Sequence, residues 1–236
     1  FEYISGSLKD VTFEVYALED IKAADGESED YYKKDDLIAT ITTDETGVAK
    51  LTDLPLGKYY VKEKETANGY VLDSTVREID LTYRDQDTAE VTYSSDWQNN
   101  RQKAEVKVLK KEKDSDRVLE GAVFALCNKE DIVNANGDVI LKADTVIEEQ
   151  ATDKEGKLTF TADLPIGYTY YVKETSPAPG FATTDQVQEF TFEYDGADKE
   201  TLSYEFTFED EPTVVEITKT SLTDGKELEG DRKSTR

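Results

Sequence analysis

Histidine is missing from all 236 residues, and with it go the commonest general base and the commonest metal ligand. Serine-histidine and cysteine-histidine catalysis are excluded. Methionine is absent too, position 1 included, so the sequence is expected to be a segment that does not begin at its translation start. The one cysteine, Cys127, can form no internal disulfide and is expected to be a half-buried free thiol. No apolar run reaches targeting or membrane-spanning length, so any secretion signal or wall anchor is expected outside these residues. Cations are scarce beside anions: 28 Lys and Arg against 53 Asp and Glu leave a formal charge of −25. Such a surface repels phosphate backbones and anionic lipid, so neither a nucleic acid nor a membrane is an expected partner. No cofactor and no resident metal is expected either.

Repetition is what the chain has in abundance. Leu54-Pro55-Leu56-Gly57 leading to Tyr59-Tyr60-Val61-Lys62-Glu63 recurs as Leu164-Pro165-Ile166-Gly167 leading to Tyr170-Tyr171-Val172-Lys173-Glu174, with one residue inserted after the glycine. The offset of 111 (174 − 63) also carries Phe13 to Phe124, Glu19-Asp20-Ile21 to Glu130-Asp131-Ile132, and Gly69-Tyr70 to Gly180-Phe181. A period of this size is too long for a solenoid unit and suits a whole domain.

Within each copy, segments alternate apolar and polar residues and are rich in Val, Thr, Tyr and Phe, the pattern of half-buried antiparallel strands. Turn signals at Glu45-Thr46-Gly47, Asn136-Gly137-Asp138 and Lys154-Glu155-Gly156 separate them, which predicts an all-β sandwich in each copy. Short helical turns are expected at 19–21 and 130–132. The acidic insert 25–30 reads as a solvated loop; its carboxylates are the hard oxygens that calcium takes, but they lack the ligand spacing of a calcium loop. The expected division is 1–102, a first module without its opening strand; 103–212, a complete second; and 213–236, the start of a third. That third start rests on Val215-Glu216-Ile217-Thr218-Lys219 followed by Gly225-Lys226-Glu227-Leu228-Glu229-Gly230, an echo of Val106 to Lys110 and of Val118-Leu119-Glu120-Gly121.

Successive strand side chains face opposite sides, so parity tells which residues share a face. Val106 and Val108 share it with Lys110, Tyr170 and Val172 with Glu174, and Tyr204, Phe206 and Phe208 with Asp210. Three strands thus carry an inward apolar face that ends in an ionisable group. Buried charges must be paired, neutralised or removed by reaction, and burial favours neutral amines and neutral acids. A neutral amine is a nucleophile and a protonated glutamic acid can relay protons, so a Lys110–Asp210 amide formed with loss of water is one outcome. An ordinary ion pair, or strand ends that reach solvent, is the other.

Lys110 with Leu119-Glu120-Gly121-Ala122-Val123-Phe124, the run from Tyr171-Val172-Lys173-Glu174-Thr175 to Pro179-Gly180-Phe181, and Asp210-Glu211-Pro212 together resemble the B-type (Cna-B) repeat of collagen adhesins. These prealbumin-like, inverse-immunoglobulin domains occur in surface proteins and pilins of Gram-positive bacteria. The resemblance spans nearly the whole chain and implies tandem antiparallel β-sandwich modules. It also implies an intramolecular isopeptide bond, with Lys110 as nucleophile, Glu174 as proton relay and Asp210 as electrophile, although asparagine is commoner at the last position. In the first module Glu63 matches the relay and the offset sets Asn99 against Asp210; Asn100 stays open, but Asn99 shares the parity of Trp97 and Tyr93. The matching lysine would lie before residue 1, and Lys219 matches the nucleophile of the third module.

A non-enzymatic stalk of a wall-anchored, extracellular adhesin or pilus-like protein follows from that resemblance, its partners being neighbouring modules and, through other parts of the parent, host matrix protein. The alternative is that the modules themselves bind matrix protein or carbohydrate through tyrosines such as Tyr60 and Tyr171, expected to face outward. Cross-strand pairing is the competing role for those rings. A hydrolase finds no pocket chemistry in this sequence, and a thioester at Cys127 finds no family context.

Overall fold

The described residues form thirteen strands and no helix, and inward apolar and outward polar side chains alternate along the longer ones such as Lys58–Glu65, Lys103–Glu112 and Thr201–Asp210. The structure is a computed structural model that describes residues 1–219 apart from 2, 4, 24, 26, 86, 88 and 89. The N-terminal repeat contributes β1 (Thr12–Ala17), β2 (Leu37–Thr42), β3 (Lys58–Glu65) and β4 (Val76–Asp80). The second repeat opens with β5 (Lys103–Glu112), β6 (Val123–Asn128), β7 (Ile132–Val133), β8 (Val139–Leu141) and β9 (Val146–Ala151). It continues through β10 (Lys157–Phe160), β11 (Tyr168–Ser176), β12 (Val187–Phe192) and β13 (Thr201–Asp210).

The second repeat packs a sheet ordered β10-β5-β13 against one ordered β12-β11-β6-β9, with β7-β8 as a small hairpin. Its core lies between them: Val106, Val108, Phe124, Leu126, Leu158, Phe160, Tyr170, Val172, Phe190, Phe192 and Phe208 are all buried. One pairing departs from the antiparallel rule. β5 and β13 run parallel, from Thr201 beside Lys103 to Asp210 beside Glu112, because the strands that open and close the repeat are neighbours.

The first repeat reproduces only one of these sheets. Its order β2-β1-β3-β4 matches β9-β6-β11-β12 strand for strand. Its core of Val11, Phe13, Val15, Ala17, Ile21, Tyr59 and Val61 is covered on the other side by half-buried residues that include Leu51, Leu54 and Trp97. The counterpart of β13 by the 111 offset is 90–99, and that of β10 is 48–51, since the turn before it is offset by 109 (Asp44 to Asp153); neither forms a ladder strand. The counterpart of β5 would precede Phe1.

The repeated tyrosine pair has a local cause. The inward ring donates to a turn carbonyl, Tyr59 Oη to Pro55 O at 2.5 Å and Tyr170 Oη to Pro165 O at 2.7 Å, so the phrase closes on itself. Burial pushes the Tyr59 phenol up to about 12, which keeps it a donor at neutral pH. The outward ring donates to an aspartate that holds a left-handed turn: Tyr60 to Asp35 at 3.2 Å and Tyr171 to Asp144 at 3.1 Å, the aspartates having φ of 67° and 60°. Short polar side chains tolerate that conformation.

Three sequence expectations need correction. Cys127 is fully buried, not half-buried, because it lies on the central strand β6 under Tyr171 and beside Ala125; burial raises its thiol pKa. Tyr171 does face away from the core, yet it is buried against that same cluster, and Tyr60 stacks on Tyr16 at 5.0 Å. No helical turns form: Ile21 bridges to Tyr32 and Ile132 opens β7. Part of the acidic insert, Gly26, lies outside the described residues; Asp25 accepts from Ser28 N and Glu27 N, and among the described residues no carboxylate cluster of metal-holding size occurs.

The repeats are joined by polar contacts around one glutamine. Gln102 is fully buried, donating to Gly196 O (3.1 Å) and Lys199 O (2.7 Å) and accepting from Asp195 N (3.0 Å). Leu72 N donates to Ala197 O at 2.9 Å, Tyr194 Oη donates to Tyr70 O at 3.3 Å, and Arg101 pairs with Asp163 at 2.6 Å.

Two substitutions test these packing statements by chemical denaturation. Gln102→Ala strands three backbone groups and should destabilise by about 2 to 4 kcal/mol, with the repeats unfolding in separate transitions. Gly156→Ala should destabilise to a similar degree, roughly 2 to 4 kcal/mol, from left-handed strain and overpacking; its φ is +68° and an added Cβ would stand 2.7 Å from Lys110 O. Wild-type midpoints in either variant would refute the corresponding contact.

Candidate functional site

Lys110 is the eighth residue of β5, Glu174 lies near the end of β11, and Asp210 ends β13. Each follows alternating core residues on its own strand, so the pleat that buries Val106, Val172 and Phe208 also points the three ionisable groups inward. The two sheets bring them together. Lys110 Nζ stands 2.5 Å from Asp210 Oδ1 and 3.0 Å from Glu174 Oε1, and all three side chains are 0 % exposed.

Aromatic rings complete the enclosure. Nζ lies 5.5 Å from the Phe124 ring centroid, where the π face favours a cation. Phe124 and Phe208 are themselves 4.8 Å apart. Glu174 Oε2 is anchored by Thr184 N at 3.0 Å, which fixes the carboxyl plane and leaves Oε1 toward the lysine. That Oε1 contact has ion-pair distance without hydrogen-bond alignment, since Glu174 Oε1 and Asp210 Oδ2 are both buried without a hydrogen-bond partner. Unpartnered buried acceptors are costly, and a proton on one of them turns it into a donor. Burial holds the Glu174 carboxyl above its usual range; the Thr184 N–H and Lys110 pull it back, while Asp210 pushes it further up.

The first repeat contains the same arrangement without a lysine. Asn99 Nδ2 donates to Glu63 Oε1 (2.9 Å), Glu63 Oε2 (2.8 Å) and Val71 O (3.0 Å). Asp73 N anchors Glu63 Oε2 at 2.6 Å as Thr184 N anchors Glu174, and the two anchors are again 111 residues apart (184 − 73). Of the two asparagines only Asn99 meets Glu63; Asn100 offers its carbonyl to Val71 N. Lys219 is exposed and in no strand, while 220–236, with most of the third-module motif, lie outside the described residues. Sequence reasoning did not single out Gln102, Asp73 or Thr184. The first is a polar residue at a boundary, and the other two act through backbone N–H groups that side-chain identity does not reveal.

Lys110, Glu174 and Asp210 thus hold an amine against two carboxyl groups, sealed from solvent. Comparisons with known proteins bear on the fold. No curated protein matches the chain. Among solved structures, the Bacillus anthracis TIE protein aligns with a TM-score of 0.54 at 25% identity, over 88% of this chain and 31% of that one. This chain therefore spans about a third of that relative's length. The shaft pilin SpaA of Lactobacillus rhamnosus GG aligns at 19% identity and TM-score 0.35, covering 89% of this chain and 90% of the pilin. The minor pilin of Streptococcus agalactiae aligns at 18% identity and TM-score 0.34, covering 92% and 88%. The SpaA prealbumin-like fold domain matches twice, over residues 4–97 and 104–207, and with most of its length in those two matches the chain belongs to that family.

Proposed function

We propose that these residues are a structural stalk segment of a wall-associated surface adhesin or pilus-like protein, and that the second repeat locks itself with an amide bond between Lys110 Nζ and Asp210 Cγ. Membership of the prealbumin-like family supports the structural role. The observation that carries the lock is the sealed contact of 2.5 Å between amine and carboxyl, with Glu174 beside it. The segment divides at 1–102, 103–212 and 213–236. It sits outside a Gram-positive cell, meets its own neighbouring modules, and leaves any contact with host matrix protein to other parts of the parent.

The lysine ammonium first loses a proton to a neighbouring carboxylate. The neutral amine attacks Asp210 Cγ while Glu174, protonated, polarises the acceptor oxygen; Glu174 then hands its proton to the departing hydroxyl and regains one from the nitrogen, which becomes the amide N–H. One C–N bond forms, one C–O bond breaks and one water leaves. The Phe124 and Phe208 rings keep bulk water from reversing the step. It happens once on the chain's own residues, so the segment is not an enzyme with turnover. The bond closes a loop of 100 residues, worth about 4 to 5 kcal/mol in the loop-entropy account.

Intact mass of the folded chain should fall one water below the sequence value, and Lys110→Ala should restore it once the substitution is allowed for. An unshifted wild-type mass sinks the bond. Acidity gives a second check. Folding raises the Glu174 pKa above its usual 4.5, so its neutral form is complete below that value and is lost as pH rises through the folded one. Chains held unfolded from synthesis and then folded across roughly pH 4 to pH 8 should crosslink more slowly toward the upper end. Glu174→Gln, which carries no proton to relay, should crosslink at none of them; a rate that ignores both pH and this substitution removes Glu174 from the mechanism.

A further inference from the structure

Asn68 and Pro179 hold the same place in the two repeats, and only the asparagine carries a group that can react. The chain turns at Ala67-Asn68-Gly69-Tyr70 in the first repeat and at Ala178-Pro179-Gly180-Phe181 in the second, 111 residues on (178 − 67). Each turn closes on one backbone bond, Tyr70 N to Ala67 O at 3.2 Å and Phe181 N to Ala178 O at 3.1 Å. The glycines have φ of 89° and 88°, as the third position of a type II turn requires, and proline is a common residue at the second. A carboxamide therefore stands in one turn where its sister has a ring.

An asparagine followed by glycine is a latent electrophile. Its side-chain carbon is within reach of the next main-chain nitrogen, attack closes a five-membered ring, and glycine has no side chain to obstruct it. The nitrogen must be free of other bonds and water must reach the ring. Two such pairs occur, Asn68-Gly69 and Asn136-Gly137. In the β7–β8 hairpin Gly137 N is engaged, donating to Asn134 O at 3.0 Å, and Asn134 Oδ1 holds Asn136 N at 2.9 Å. Asn68 is exposed, and among the described residues Gly69 N donates to no acceptor. Asp195-Gly196 offers the same ring size, but its carboxylate pairs with Lys199 at 2.5 Å, and an ionised carboxylate is a poor electrophile.

The reactive pair lies in the joint between the repeats. Gly69 O accepts from Gln102 N at 2.9 Å, Tyr70 O accepts from Tyr194 Oη at 3.3 Å, and Leu72 N donates to Ala197 O at 2.9 Å. A Cβ on Gly69 would stand 3.6 Å from Ile166 Cδ1, so the turn rests against the second repeat.

We propose that Asn68 converts itself to isoaspartate through Gly69, and that this modification releases the joint. Gly69 N bonds to Asn68 Cγ, the bond from Cγ to Nδ2 breaks, and the Gly69 amide proton leaves with that nitrogen as ammonia. Water then opens the ring at the main-chain carbonyl carbon of residue 68, so the chain runs through Cβ and Cγ with a carboxylate beside it. Opening at Cγ gives aspartate and leaves the main chain unchanged. In isoaspartate the path to Gly69 N gains one atom, and Gly69 and Tyr70 can no longer present both carbonyls where Gln102 and Tyr194 meet them. The step needs only water, so the joint loosens with the age of the folded chain.

The test is to incubate the 236-residue chain warm at mildly alkaline pH, map isoaspartate by peptide mass and enzymatic methylation, and read amide hydrogen exchange at Leu72. Isoaspartate should accumulate at position 68 ahead of 136 and 195, with one ammonia lost and one water gained. In the modified fraction the Leu72 N–H should exchange faster by about tenfold. Asn68→Pro, which copies the sister turn, should stay unmodified there and keep Leu72 protected through the same incubation. Fresh Asn68→Asp should also keep that protection, because its main chain has no added atom. An intact Asn68, or faster conversion at 136 or 195, overturns the site. Undiminished Leu72 protection in the modified fraction, or an equal loss in Asn68→Pro, overturns the release of the joint. Fast exchange in fresh Asn68→Asp overturns the main-chain account by assigning the loosening to charge.

Discussion

The parallel ladder of β5 with β13 is the constraint on which the rest of the second repeat depends. Parallel neighbours cannot be joined by a hairpin, so the chain between them must leave, build the opposite sheet and return. Ten residue pairs in unbroken register then fix where the two strands end. That register lays Lys110 beside Phe208 and brings Asp210 to the same corner, while β11 delivers Glu174 from the facing sheet. Slipping the register by one residue would turn Asp210 to solvent and leave the ammonium buried with a single carboxyl.

Much of this was legible in the sequence, because two simple periodicities survive folding. The 111-residue offset holds even for backbone bonds: Val71 N to Asn100 O in one repeat is Ala182 N to Glu211 O in the other. Side-chain parity found the site, since a two-residue period is a property of the pleat rather than of any partner. Parity failed where burial comes from beyond one strand. Tyr171 has outward parity, yet its ring folds down over Cys127 and reaches Asp144, so a residue on the outer face is covered all the same. The stretches 19–21 and 130–132 had helix-like composition, but each is drawn into an edge bridge by a neighbouring segment, a tertiary effect that local propensity does not contain.

The contrast between the repeats isolates what the first strand contributes. Both have the same four-stranded sheet, the same tyrosine latches and the same anchored glutamate. Among the described residues 90–99 joins no ladder; Trp97 packs edge-on against Phe13 at 5.1 Å, and Arg77 braces it from above.

Gln102 bears on a property at a larger scale than any single domain. A flexible linker lets the separation of its ends grow only as the square root of its length, because each unit forgets the direction of the last. Here the junction residue is clamped by three backbone groups of the neighbouring repeat, and the flanking residues add an ion pair and further hydrogen bonds. Orientation is passed on from one repeat to the next. An array joined in this way keeps its bearing, so its reach grows in proportion to the number of units.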